Sequence, residues 1–371
     1  MVDDRRDSTN PQGLLSNSLP LGRLATSSRW SDRRYLVYLA SGNAIIGLLG
    51  LVVYAPLVFA ADSDTIRQSA LALGTGQPGW QSPYPPLTAV VAWPLTWVSS
   101  ASAAIAIALV SVGLVLLGVL LETRGQARTD RLLVAVAAVT FGPVVYELLL
   151  GQTTLLIAAA LYPVVRRHDD YWTGIPLGFA LALAPKPMLL PLLAWVLVWR
   201  RRAFAASLVT AATLTGAGIF VTGWERYREW LLATLSFGHV SLAGDFSRAN
   251  FSLWAQGFSL PALVLGGVVA AAAGWAILRH PARGLAAALF SSLLLAPYTM
   301  IYAASIMLLA VKPMLEFAPR ATRLLAFVGS LAVLYLTLLA PWSLAGLVAC
   351  LPLPGLRAML PGATRRPRHP A

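Results

Sequence analysis

The chain has 371 residues, of which 57% are hydrophobic and only 12% charged. A soluble domain is nearer a quarter charged, so the composition excludes a solvated globule and points to an all-α polytopic membrane protein. The net charge of +13 does not signal nucleic acid: the arginines form short clusters between apolar runs (Arg33-Arg34, Arg166-Arg167, Arg200-Arg201-Arg202, Arg365-Arg366-Arg368), as in the positive-inside pattern. The lone cysteine, Cys350, excludes an intrachain disulfide or a cysteine-based metal site.

Residues 1–34 read as a polar, disordered cytoplasmic tail, and 358–371 as a basic cytoplasmic tail, leaving 35–357 as the membrane domain. Tyr35–Ala60 is long enough for a first span, so Asp62, Asp64 and Arg67 fall in an outer loop. Pro85–Val98 is short and carries three prolines and two tryptophans, as an interfacial segment does; Ala101–Leu121 then returns to the basic side. Leu132–Leu150 goes out and Thr154–Val165 comes back. Tyr171–Trp199 is broken around "LAPKPMLLP" (Leu183–Pro191), making two short helices that meet near Lys186. Ala203–Thr222 goes out, Gly223–Asn250 is a charged outer loop, and Phe251–Leu278 returns. Gly284–Val311 must turn near Ala296–Tyr302, and Leu324–Arg357 adds a pair turning around Pro341-Trp342. The expected bundle has about 10–12 spans, several of them short, with no internal repeat.

No Walker A loop, dinucleotide fingerprint, HExxH or GxSxG is present, and His168, His239, His280 and His369 lack metal-ligand spacing, so no metal site is expected. The polar residues that topology sends to the outer side are Asp62, Asp64, Arg67, Tyr84, Glu147, Gln152, Lys186, His239, Asp245, Arg248, Asn250, Tyr298 and Tyr302. Acids just past a span are ordinary. Lys186 and Glu147 are not, because a charge among apolar helices is costly and usually lines a site or pairs with a partner. An outward-facing enzyme site with a carboxylate and a cation is one reading; a transporter or lipid flippase using Glu147, Lys186 and Asp62 is the alternative.

Several blocks, taken in order, resemble glycosyltransferase family 87, of the GT-C superfamily of membrane glycosyltransferases. They are Asp62…Ala70-Leu71-Ala72-Leu73-Gly74-Thr75-Gly76…Tyr84-Pro85-Pro86-Leu87; Leu150-Gly151-Gln152-Thr153-Thr154-Leu155-Leu156; Gly178…Lys186-Pro187…Trp199-Arg200-Arg201; Arg248-Ala249-Asn250-Phe251-Ser252-Leu253; and Ala296-Pro297-Tyr298-Thr299. The resemblance implies a GT-C-like bundle with an outward-facing first loop and an interfacial helix. It implies an inverting, metal-independent transfer of a hexose such as mannose, or of arabinofuranose. The donor is a polyprenyl-phosphate sugar and the acceptor a hydroxyl of an envelope glycolipid or glycan; no cofactor takes part. The setting is a bacterial plasma membrane with both termini cytoplasmic. Asp62, with Asp64 as rival, matches the family's base; Lys186, Arg248 and Arg67 are the cations for the donor phosphate; Tyr84, Glu147, Gln152, Asn250 and Tyr298 complete the substrate site.

Overall fold

A computed structural model describes residues 33–76, 82–166, 169–184, 186–243, 251–254, 259–297, 299–332 and 338–351. All regular structure among them is helical. α1 (Arg33–Val58) leads into α2 (Ala61–Gly74), then a short α3 (Pro86–Val91) continued by a 3₁₀ turn at Trp93–Trp97, then α4 (Ser100–Glu122). α5 (Arg128–Val139) and α6 (Gly142–Leu150) follow, then α7 (Thr154–Arg166) and α8 (Tyr171–Leu183). After a 3₁₀ turn at Pro187–Leu189 come α9 (Leu190–Trp199), α10 (Arg201–Thr222), α11 (Trp224–Ala243) and α12 (Leu260–Arg279). α13 (Pro281–Leu295), a 3₁₀ turn at Ile301–Met307, α14 (Leu308–Phe317), α15 (Pro319–Ala332) and α16 (Leu339–Cys350) close the bundle.

Four stretches among the described residues are long and apolar enough to cross a bilayer: the run containing α1, and α4, α10 and α12. The pair α5–α6, bent by 58°, makes a fifth. The shorter apolar helices of 10–17 residues are α7, α8, the segment Pro187–Trp199 that contains α9, α13 and α16. The chain is thus an all-α, multi-pass membrane protein.

Contacts sort the helix ends into two groups. At one end Glu122 binds Arg166 at 2.5 Å and Lys312 at 2.7 Å. There too Arg200 Nε donates to the Val164 carbonyl, Trp199 Nε1 to Ile277, Arg283 Nη1 to Leu351, and the Tyr35 hydroxyl to Arg323. At the opposite end the Ala60 amide donates to Leu149 at 2.8 Å, Thr88 Oγ1 to Leu183, and the Phe251 amide to Thr299 at 3.0 Å. Among the described residues, Arg166, Arg200, Arg283 and Arg323 therefore share one end, the arginine-rich end, and the Asp62 region lies at the other.

Four expectations are corrected. The acids past α1 are not in a loop: Ala60 turns the chain in the left-handed region (φ 64°), and Ala61–Gly74 resumes as a helix with Asp62 and Asp64 in its first turn. Acids there complement the helix dipole, and the Ala- and Leu-rich remainder favours helix. Leu132–Leu150 is not one straight span, because Pro143, in the first turn of α6, restarts the helix at a new angle. The stretch Gly223–Asn250 is largely α11, so the returning helix starts only at Leu260; residues 251–254 instead form a bend and turn, with the Phe251 amide donating to Thr299 and the Leu253 amide to Leu294. Pro341 and Trp342 lie in the first turn of α16 rather than at a reversal, where a proline's missing N–H costs nothing. The terminal tails, except Arg33 and Arg34 at the start of α1, lie outside the described residues.

The tightest helix crossing is α8 on α10. Gly174 and Gly178, one turn apart, let α8 meet the α10 backbone: a Cβ at 174 would stand 2.0 Å from the Ala203 carbonyl oxygen, and one at 178 would stand 2.7 Å from that of Ser207. Small residues at this spacing are how membrane helices approach closely. This crossing fixes the α8–α9 break, and so Lys186. Gly174→Leu is expected to cost about 1–3 kcal/mol or more by overpacking, read as a lower thermal unfolding midpoint in detergent. Gly216→Leu on α10 should be neutral, because a Cβ there meets nothing within 4 Å.

Candidate functional site

Four sequence-predicted residues meet at the end opposite the arginine clusters. Asp62 comes from the first turn of α2, Tyr84 from the segment before α3, Gln152 from the turn between α6 and α7, and Lys186 from the break between α8 and α9. Gln152 joins them. Its Nε2 donates to Asp62 Oδ2 at 2.7 Å. Its Oε1 accepts from Lys186 Nζ at 3.2 Å, from the Tyr84 hydroxyl at 3.3 Å and from the Thr153 amide at 3.1 Å. The amide has one sensible orientation: three donors face its oxygen and a carboxylate faces its nitrogen. Lys186 Nζ also donates to Thr154 Oγ1 at 2.9 Å and lies 4.9 Å from the centre of the Tyr302 ring.

Asp62, Tyr84, Gln152, Lys186 and Tyr302 line a cavity of about 100 Å³, together with Pro83, Pro187, Met188, Thr299 and Met300. A carboxylate and an ammonium thus share one small polar hollow at the end of an apolar bundle. Such charges are costly there without partners, and the Gln152 bridge supplies one to each.

Local backbone makes the bridge possible. Gly151, φ 70°, turns the chain from α6 to α7, and a Cβ on it would stand 2.7 Å from Ser63 Cβ. Only glycine combines that left-handed conformation with so close an approach. It brings the first turn of α2 against the α6–α7 turn and sets Gln152 beside Asp62. Ala60, also left-handed and anchored through its amide to Leu149, aims α2 the same way. Above the cavity, α11 covers the rim: Trp230 Nε1 donates to the Pro83 carbonyl at 3.2 Å, and Tyr227 packs on Leu87 and Gly218.

Other predicted residues stand elsewhere. Asp64 accepts from the Ser100 hydroxyl and pairs with Arg67 at 4.0 Å. Arg67 Nε donates to the Val98 carbonyl at 2.9 Å, and neither side chain lines the cavity. Glu147 is fully buried behind Lys186: Oε1 accepts from the Leu155 amide and Oε2 from the Ser305 hydroxyl. Arg248, Asn250, Tyr298, Asp245 and the side chain of His239 lie outside the described residues. Thr154, Ser305 and Ser100 are contributors that sequence reasoning did not single out. Thr154 was visible as a hydroxyl next to the Gly-Gln pair; Ser305 and Ser100 carried no signal, since isolated serines are common in apolar helices. Among the described residues no group of three His, Cys, Asp or Glu side chains is arranged to hold a metal.

Glu147 stitches α6 to α7 and to the turn that carries Tyr302. Glu147→Leu strands the Leu155 amide and is expected to cost about 1–3 kcal/mol, seen as a lower unfolding midpoint in detergent. Glu147→Gln keeps an acceptor for that amide and should recover most of the loss.

No curated protein and no solved structure matches the chain. The sequence profile described as glycosyltransferase family 87 matches residues 83–304, which is more than half of the chain and includes Tyr84, Gln152 and Lys186. With its apolar helical bundle, the chain belongs to glycosyltransferase family 87 and is a membrane glycosyltransferase.

Proposed function

We propose that the protein moves a hexose such as mannose, or arabinofuranose, from a polyprenyl-phosphate donor to a hydroxyl of an envelope glycolipid or glycan, with inversion. The observation that carries this reading is the bridge from Asp62 through Gln152 to Lys186 on the wall of one cavity. The positive-inside rule makes the arginine-rich end cytoplasmic and the Asp62 end extracytoplasmic, in a bacterial plasma membrane.

The chemistry is a single displacement. The acceptor oxygen attacks the anomeric carbon as its proton passes to the Asp62 carboxylate; a hydroxyl is too weak a nucleophile without that base. Gln152 holds Oδ2, so Oδ1 takes the proton. The bond from the anomeric carbon to the phosphate oxygen breaks, and the polyprenyl phosphate leaves with the electron pair. Lys186 faces the phosphate oxygens, where negative charge grows during the reaction. Gln152, hydrogen-bonded to both, sets the distance between base and cation. The cluster gathers at one end of the bundle, beneath α2, α3 and α11, which supports an enzyme site over a transport path at mid-membrane.

Asp62→Asn is expected to lower transfer from a polyprenyl-phosphate sugar by about 10²–10⁴-fold, with the unfolding midpoint unchanged. Asp64→Asn should keep most activity, because its contacts are to Ser100 and Arg67. Full activity in Asp62→Asn, or an equal loss in Asp64→Asn, contradicts the assignment of the base. Lys186→Met should lower kcat more than it raises KM, as expected of a charge whose work is done in the transition state.

A further inference from the structure

A second cavity lies between α4, α7 and α14. At about 380 Å³ it is larger than the one at Asp62, and within the range of about 300–1,000 Å³ typical of ligand pockets. Its walls are apolar, with Val115, Gly118 and Leu121 from α4, Leu155 and Ala158 from α7, and Leu308 from α14. One end is charged, lined by Glu122, Arg166 and Lys312.

The charged mouth of this cavity is at the far end of the bundle from Asp62, while its apolar wall on α7 runs up to Leu155, next to Thr154. Ser100, at the start of α4, donates to Asp64, whereas Glu122 is the last residue of that 23-residue helix, about 35 Å away along the axis. The α4 residues lining the cavity run from Leu114 to Glu122, about 12 Å of helix. Half of a hydrocarbon core is about 15 Å. The cavity is therefore one leaflet deep, apolar along its length and charged at the depth of the headgroups.

The charge at its mouth is positive. Arg166 and Lys312 both converge on Glu122, at 2.5 and 2.7 Å, so one carboxylate serves two cations. Arg124, two residues past Glu122, adds a third positive charge at the same end of α4. The Lys312 side chain is 41% exposed and can reach a headgroup. A neutral lipid gains nothing from that excess; an anionic one does.

We propose that this cavity is a binding site for an anionic phospholipid of the leaflet at the arginine-rich end, with one acyl chain along α4 and α7 and the phosphate against Lys312 and Arg166. The site is separate from the transfer chemistry at Asp62. Its occupant braces α4, the helix whose other end holds Asp64 through Ser100.

Gly118 offers a direct test. It lines the cavity, and a Cβ built on it meets nothing within 4 Å, so Gly118→Phe can start without backbone strain and bring a ring into the space proposed for the acyl chain. The same change also raises helix propensity. Gly113→Phe is the control, since Gly113 lies on α4 with equally open surroundings but does not line the cavity. Delipidated protein in detergent is titrated with phosphatidylglycerol or phosphatidylcholine. Bound lipid is counted by native mass spectrometry and the unfolding midpoint is followed. The expected result is one tightly held phosphatidylglycerol that raises the midpoint, with phosphatidylcholine at least about tenfold weaker. Gly118→Phe should abolish that binding, Gly113→Phe should preserve it, and Lys312→Gln should erase the preference between the two lipids. Equal binding of both lipids by the unaltered protein overturns the proposal, as does undiminished phosphatidylglycerol binding in Gly118→Phe. If Gly118→Phe does not fold, an unchanged lipid preference in Lys312→Gln overturns it instead.

Discussion

An ammonium group inside an apolar bundle must be answered by partners, and the end of the bundle that holds Asp62 is arranged around that demand. Lys186 is met by the carbonyl oxygen of Gln152 and the hydroxyl of Thr154, with the face of Tyr302 nearby. The same amide of Gln152 donates to Asp62. One neutral side chain therefore sets the separation of a carboxylate and a cation without letting them collapse into a contact ion pair. A direct pair would satisfy both charges and leave neither for a substrate. A bridged pair keeps each charge facing the cavity. That is the arrangement the proposed transfer from a lipid phosphate would use, with a base on one side of the anomeric carbon and a positive charge on the other.

The rest of the fold holds that bridge in place. Gly151 and Ala60, both left-handed, direct α6 and α2 so that Gln152 and Asp62 meet. Ala60 is the only described non-glycine residue with positive φ. It sits two residues from Asp62, consistent with the tendency of backbone strain to gather at working sites. Glu147 lies behind the bridge with both oxygens occupied by the protein's own groups, which joins α6 to α7 and to the Tyr302 turn. Closer to the opposite face, the glycine crossing of α8 on α10 fixes the break at which Lys186 stands.

Much of this was legible in the sequence, for identifiable reasons. Lys186 and Glu147 stood out because ionisable groups in apolar runs are expensive, and the parity of the arginine clusters sent Asp62, Gln152 and Lys186 to one end. The broken helix at Lys186 was visible in its prolines. Other features were not legible. Acids followed by Gly76 and Pro78 looked like a loop, yet the Ala- and Leu-rich residues between them form α2. The bend between α5 and α6 had a signal in Pro143, but an apolar run hides it when only length and hydropathy are read. Nothing in the sequence distinguished the role of Glu147 from that of Lys186. Both are charges among apolar residues, and only packing shows that one faces the cavity and the other is enclosed. The second cavity leaves no linear trace, because it is a space between α4, α7 and α14.

The central claim is that the Asp62–Gln152–Lys186 cluster holds the reacting atoms. The most direct measurement is an experimental structure of the protein with a non-hydrolysable polyprenyl-phosphonate sugar bound. A phosphonate oxygen is expected within about 3.2 Å of Lys186 Nζ, with the anomeric carbon presenting the face opposite the leaving group to Asp62 Oδ1. A donor bound with its phosphonate away from Lys186, or with Asp62 on the leaving-group side of the sugar, would contradict it.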